Sequence, residues 1–98
     1  MDYLLNLGFV EEFIIELKSL YNESNQVLIS INEDYVVNAV KYLREIGITE
    51  ENIKDLFINN IDFLFKDLDE IKEIFGKYDI KKIVELLNED ISIINRIY

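Results

Sequence analysis

The sequence predicts an all-α protein: one solenoid-like helical-repeat bundle over residues 1–98, of about five to six helices in about two and a half repeats. Three observations predict it. The chain has no proline, the commonest helix breaker. Glycine-marked hairpin turns are missing, so strand signals are thin. The third observation is self-similarity. Leu4-Leu5-Asn6-Leu7-Gly8-Phe9-Val10-Glu11-Glu12-Phe13-Ile14-Ile15-Glu16-Leu17 returns 39 residues later as Leu43-Arg44-Glu45-Ile46-Gly47-Ile48-Thr49-Glu50-Glu51-Asn52-Ile53-Lys54-Asp55-Leu56. A partial third copy follows at a spacing of 30: Ile53–Phe57 matches Ile83–Leu87, and Asn60–Leu64 matches Asp90–Ile94. The unequal spacings point to a short insertion near Asn22–Asn25.

Each element has a local reason. A short first helix at about residues 2–7 stops at Gly8, and Glu11 and Glu12 open the next. The stretch Gln26–Ile31 alone reads as a strand, but a lone strand has no partner here. The repeat register sets it opposite Phe63–Phe65, which makes it an apolar connecting turn. Asn32 or Glu33 starts a helix whose apolar positions (Val36, Val37, Ala39, Val40, Leu43, Ile46) follow three–four spacing. Gly47 supplies its left-handed stop, and Thr49 caps a helix that turns Ile53, Leu56 and Phe57 inward. Ile61–Phe65 reads as a turn of 3₁₀ helix or a bent segment. Asp67 with Glu70 forms a capping box for a helix with Leu68, Ile71, Ile74 and Phe75 on its stripe, ending at Gly76. Asp79 caps another, with Ile80, Ile83, Val84, Leu86 and Leu87 inward. Asp90 to Tyr98 closes the chain through Ile91, Ile93, Ile94 and Ile97.

Composition bounds the function. Half of the residues are hydrophobic, enough for a core at this length, and too many for disorder. There is no cysteine and no histidine, so disulfides, thiolate chemistry and an imidazole base are excluded, and zinc has no natural ligand set. No glycine-rich phosphate loop exists. Asp67, Asp69 and Glu70 lie close together but lack the glycine and ligand spacing of a calcium loop. These readings predict a non-enzyme with no catalytic residue, cofactor or metal. No apolar run reaches the ~18 residues a membrane span needs. Met1-Asp2-Tyr3 has no basic region and no signal or transit pattern, so the expected location is the cytoplasm.

Twenty acids against ten bases give a net charge of −10. Residues 1–51 carry ten acids and three bases, residues 52–98 ten acids and seven bases. A surface of this sign repels nucleic acid at long range, because a phosphate binder needs Lys and Arg to displace counterions.

The pattern L-x-x-[LI]-G-[FI]-x-E-E-x-I-x-x-L, followed by a short apolar turn and a new helix, resembles the repeat of the mitochondrial transcription termination factor family. The resemblance runs from Leu4 to Tyr98. It implies repeats of two helices plus a short 3₁₀ helix, stacked into a short right-handed, curved solenoid. That family has proline at the end of the second helix, where this chain has Ile61 and Ile91. It binds nucleic acid through a basic concave face, and at −10 this chain cannot carry such a face over its length.

The candidate partner-binding residues are the carboxylates that align between copies. Glu11, Glu12 and Glu16 match Glu50, Glu51 and Asp55, and Glu85 matches in the third copy. In a stacked repeat, equivalent positions form a ridge. One reading is a negative stripe that docks on a protein with a basic surface; the other is a solvated face with acids favoured at helix starts. The dipole explanation weakens at Glu16, Asp55 and Glu85, which lie beyond the first turn. Tyr21, Tyr35, Tyr42 and Tyr78 read as side chains at the boundary of a small core, with binding hot spots as the alternative. The apolar ends either fold back into the core or bury against a second copy.

The function this predicts is a protein-interaction module. Its concrete form is an acidic, nucleic-acid-mimicking inhibitor of a nucleic-acid-handling protein, such as a phage or mobile-element antagonist of the anti-CRISPR type. The alternatives are a nucleic-acid-binding repeat protein, supported locally by Lys72, Lys77, Lys81 and Lys82, and a homodimeric structural or immunity protein.

Overall fold

Five polar side chains and two left-handed glycines divide the chain into helices. The computed structural model describes residues 1–98 and contains no strand. Its elements are α1 (Tyr3–Asn6), α2 (Glu11–Leu20), α3 (Glu23–Ile31), α4 (Glu33–Ile46), α5 (Glu50–Asn59), α6 (Ile61–Leu64), α7 (Leu68–Phe75), α8 (Ile80–Glu89), a 3₁₀ turn (Ile91–Ile93) and α9 (Ile94–Ile97). The helix count is therefore nine rather than five to six. The surplus comes partly from α1, α6 and α9, which are single turns of four residues.

The caps follow from side-chain chemistry. Asn22, Thr49, Asp79, Asp67 and Asp90 each accept a hydrogen bond from a backbone N–H of the turn they open, at 2.8–3.3 Å. Gly8 and Gly47 have φ of 92° and 102°, which any residue with a Cβ adopts only under strain. Gly76 ends α7 in the ordinary right-handed region. The capping box at Asp67 forms only by half: Asp67 accepts from Asp69 N–H, while Glu70 pairs with Lys66 Nζ at 3.2 Å.

The stretch Gln26–Ile31 is part of a helix and not a connecting turn. Asn22 supplies the cap that fixes it, its Oδ1 accepting from Asn25 N–H at 2.9 Å. Tertiary bonds then hold it: the Tyr3 hydroxyl donates to the Ile29 carbonyl at 2.7 Å, and Gln26 Nε2 donates to the Lys18 and Tyr21 carbonyls. Local β propensity yields to these contacts. The closing segment is likewise split, because Asp90 accepts from both Ser92 N–H and Ser92 Oγ, tightening Ile91–Ile93 into 3₁₀ before α9 begins.

Helix bounds recur at the sequence offsets. The helices α2, α5 and α8 each have ten residues, starting at 11, 50 and 80. After α5 and α8 the chain passes through Asn60 (φ −145°) and Asp90 (φ −150°) into a short helical turn. The longer first interval is taken up by α3, nine residues where α6 has four, and by α4, fourteen where α7 has eight. The helix α2 packs against α5, and α4 against α7.

One core of 24 buried side chains runs through these elements, with Phe9, Phe13 and Phe57 meeting edge-on or tilted, their ring centroids 5.2–5.7 Å apart. A second aromatic set joins Tyr42 and Phe63 to Phe75. Full burial of a ring such as Phe57 contributes about 1.5–3 kcal/mol. Both ends fold back: Leu4, Ile94 and Ile97 belong to the core, while Leu5 and Tyr98 stay about half exposed. Leu86, placed inward by its spacing, is exposed, because α8 buries the adjacent arc of Ile83, Val84 and Leu87. The radius of gyration is 13.1 Å, as expected of about 100 residues in a single domain.

Candidate functional site

All seven candidate carboxylates lie off the core. Glu11, Glu12, Glu16, Glu50, Glu51 and Glu85 are exposed, and Asp55 is half-buried. Their settings differ. Glu50 is held by Arg44, with Nε to Oε1 at 2.6 Å and Nη2 to Oε2 at 3.3 Å; the same guanidinium lies 5.2 Å from the Phe9 ring centroid. Its charge is therefore largely committed inside the molecule. Asp55 accepts from Asn59 Nδ2 at 3.2 Å, one turn along α5. Glu11, Glu12, Glu16, Glu51 and Glu85 have no ion-pair partner, since the two ion pairs in the molecule are Arg44–Glu50 and Lys66–Glu70.

Equivalent residues keep register but not the same angle to the core. The buried arc is Phe13, Ile14 and Leu17 in α2, Ile53, Leu56 and Phe57 in α5, and Ile83, Val84 and Leu87 in α8. At about 100° per residue this arc turns by roughly 50° from one copy to the next. Glu16 thus lies about 105° from the centre of its helix's buried arc, and Asp55 and Glu85 about 155° from theirs. All three face away from the core of their own helix.

Four cations lie over aromatic rings, and two of them, Arg44 and Lys66, also pair with a carboxylate. Lys54 lies 5.6 Å from the Phe13 centroid, Lys66 4.9 Å from Tyr98, and Lys72 5.8 Å from Tyr42. Lys77, Lys81 and Lys82 are exposed, the last two in the first turn of α8, which holds no acid.

The tyrosines divide. The Tyr21 hydroxyl donates to the carbonyls of Phe57 and Ile58 at the end of α5, and burial raises its pKa above the ordinary phenol value, with Asp62 adding to the shift. Burial also pushes up Tyr42, with Glu45 contributing. Tyr35 and Tyr78 are exposed. No polar or charged side chain is fully buried, and no three acidic side chains converge on a metal-sized site.

One surface was not visible in the sequence. Most of the exposed large apolar side chains fall within residues 1–35, and three of them, Val27, Leu28 and Ile31, lie on α3. That helix buries only Ile29, and Ile29 stands outside the main core. A groove of about 520 Å³ runs beside it, lined by Met1, Lys18, Glu23, Gln26, Val27, Ser30 and Ile31. A smaller one of about 230 Å³ opens on its other side, toward Ile61, Asp62 and Phe65. The three–four spacing of Val27, Leu28 and Ile31 was the available signal, once the segment is read as a helix.

No protein-family model, curated protein or solved structure matches this chain.

Proposed function

We propose that this protein is a non-enzymatic protein-interaction module whose carboxylate surface docks on a basic protein. In its concrete form it is an acidic inhibitor that occupies a nucleic-acid-binding groove, presenting Glu11, Glu12, Glu16, Glu51, Asp55 and Glu85 where phosphates would sit. Glu50, tied to Arg44, borders that surface rather than contacting the partner. A phage or mobile-element antagonist of the anti-CRISPR type fits this reading, acting in the cytoplasm on a nucleic-acid-handling enzyme.

The observation that carries the proposal is the unpaired charge. Twenty acids share two ion pairs and none is buried, so eighteen carboxylates stand at the surface without an ion-pair partner. Holding so many like charges on a small domain opposes compaction, a cost that a basic partner would relieve. The repeated ten-residue helices support a short right-handed solenoid like that of the mitochondrial transcription termination factors, with the carboxylates of successive copies on one outer side.

The test is capture from host or phage-infected cells, followed by competition. A captured nucleic-acid-binding protein should lose its oligonucleotide as this protein is added, and complex formation should weaken steeply between low and high salt. Capture of proteins without basic surfaces, at an affinity indifferent to salt, would contradict the proposal. The runner-up, direct nucleic-acid binding, rests on the exposed Lys77, Lys81 and Lys82. A gel shift with single- and double-stranded oligonucleotides at low salt separates the two readings, and clear binding would reverse their order.

A further inference from the structure

The segment Gln26–Ile31 has the sequence of a strand and the structure of a helix. Its six residues hold no charge, no glycine and no proline, and Val27, Ile29 and Ile31 are β-branched. In α3 those three side chains are divided. At about 100° per residue, Val27 and Ile31 lie about 160° from Ile29. Ile29 is therefore buried while Val27 and Ile31 are more than half exposed. In an extended chain the three share one face, with Gln26, Leu28 and Ser30 on the other. Few contacts hold the helical state, since no side chain of α3 belongs to the main core of 24. Four clips restrain it. Asn22 Oδ1 accepts from Asn25 N–H, the Tyr3 hydroxyl donates to the Ile29 carbonyl, the Met1 ammonium donates to Ser30 Oγ, and Gln26 Nε2 donates to the Lys18 and Tyr21 carbonyls.

We propose that Gln26–Ile31 is a latent strand: released from its clips, it pairs edge to edge with the same segment of a second copy. Within one chain such a strand has no neighbour to pair with. A second copy supplies an identical one, so that Val27, Ile29 and Ile31 meet their like across a dry face. Charge holds the pairing back. Glu23 on α3, Glu33 and Asp34 on α4 and Asp62 on α6 flank the segment, against Lys18 on α2 and the Met1 ammonium. Acids that flank an uncharged run oppose its assembly, and the net charge of −10 keeps copies apart at low salt. Pairing therefore needs two conditions together: release of α3 from the rest of the fold, and screening of the like charges. It does not depend on the carboxylate-docking reading above.

The test incubates the whole chain at neutral pH, in low salt and in about 0.5 M salt, and follows intermolecular sheet by infrared absorption and thioflavin fluorescence. Sheet should form in high salt and not in low. Tyr3→Phe removes the clip to Ile29 and should speed assembly about two- to tenfold, the effect of one hydrogen bond on the open population. Asn88→Ala loosens the distant turn between α4 and α5 and should speed it far less. Val27→Lys/Ile31→Lys changes two exposed side chains, keeps the helical spectrum and should abolish sheet even in the Tyr3→Phe background. Proteolysis of the assembled product, read by mass spectrometry, should return a protected fragment that contains residues 26–31. A native chain and a Tyr3→Phe variant that both stay helical and monomeric in high salt would overturn the proposal. So would sheet that survives Val27→Lys/Ile31→Lys, or a protected fragment that lies elsewhere. Equal acceleration by Asn88→Ala would make global unfolding the route and would overturn it as well.

Discussion

The side-chain amide of Asn88 closes the turn at Gly47: Asn88 Nδ2 donates to the Gly47 carbonyl at 3.0 Å. The same side chain accepts through Oδ1 from Thr49 N–H at 3.0 Å and from Asn52 Nδ2 at 3.2 Å. One residue near the end of α8 thus serves the stop of α4 and the start of α5. Val84, one turn earlier, stands 3.6 Å from where a Cβ on Gly47 would be.

Asn88→Ala should therefore cost about 0.5–1.5 kcal/mol, the net worth of hydrogen bonds made at an exposed turn. Asn88→Asp keeps the acceptor and loses the donor, and should cost less than the alanine variant. Urea unfolding followed by circular dichroism measures both; a shift of less than a few tenths of a kcal/mol for Asn88→Ala would mean that water replaces the amide fully.

Glycine replacements should separate by backbone angle. Gly47→Ala and Gly8→Ala force a Cβ into the left-handed region and should each cost roughly 1–2 kcal/mol. Gly76→Ala meets no such penalty at φ −65°, although its Cβ would approach the Lys72 carbonyl to 3.1 Å. Its loss should be the smallest of the three in thermal unfolding.

Removing the cap of α3 should act locally. Asn22→Ala should speed amide exchange in Glu23–Ile31 while leaving the slowest-exchanging amides of α5 nearly unchanged, since α3 sends no side chain into the main core. A loss of protection shared equally by α5 would show that α3 unfolds only with the whole domain.

Alkaline pH should destabilise the protein through its tyrosines. Burial raises the Tyr3 phenol, with Glu33 adding to the shift, and Tyr21 moves in the same direction. A raised folded-state pKa means that the folded chain keeps a proton that the unfolded chain releases. The stabilisation is complete below the ordinary phenol pKa of 10.0 and is lost progressively above it. Tyr3→Phe should flatten the fall of stability above about pH 10, while costing the hydrogen bond to Ile29 at neutral pH. Denaturant midpoints across pH 7–11.5 check this, and an unchanged slope in the variant would contradict it.

Much of this architecture was written locally. Thr49, Asp67, Asp79 and Asp90 are caps readable from residue type, and Gly8 and Gly47 mark stops because no other residue suits their φ. Three things were not legible. The uncharged run Val27–Ile31 looks like a strand, and its helical state depends on Asn22 and on Tyr3, 26 residues away from Ile29. The contact of Asn88 with Gly47 spans 41 residues and has no local signature. The turning of the buried arc between copies is also hidden. Alignment equates Glu16, Asp55 and Glu85, but only packing decides how each helix rolls against the core, which sets Glu16 about 105° and Asp55 and Glu85 about 155° from their buried arcs.

The central claim is that surface carboxylates, and not a chemical site, carry the function. Reversing Glu16, Asp55 and Glu85 to lysine tests it most directly, with helix content followed by circular dichroism and partner capture followed by mass spectrometry. The account predicts an unchanged helical spectrum and loss of the basic partner. A folded variant that retains the same partner at the same affinity would contradict it.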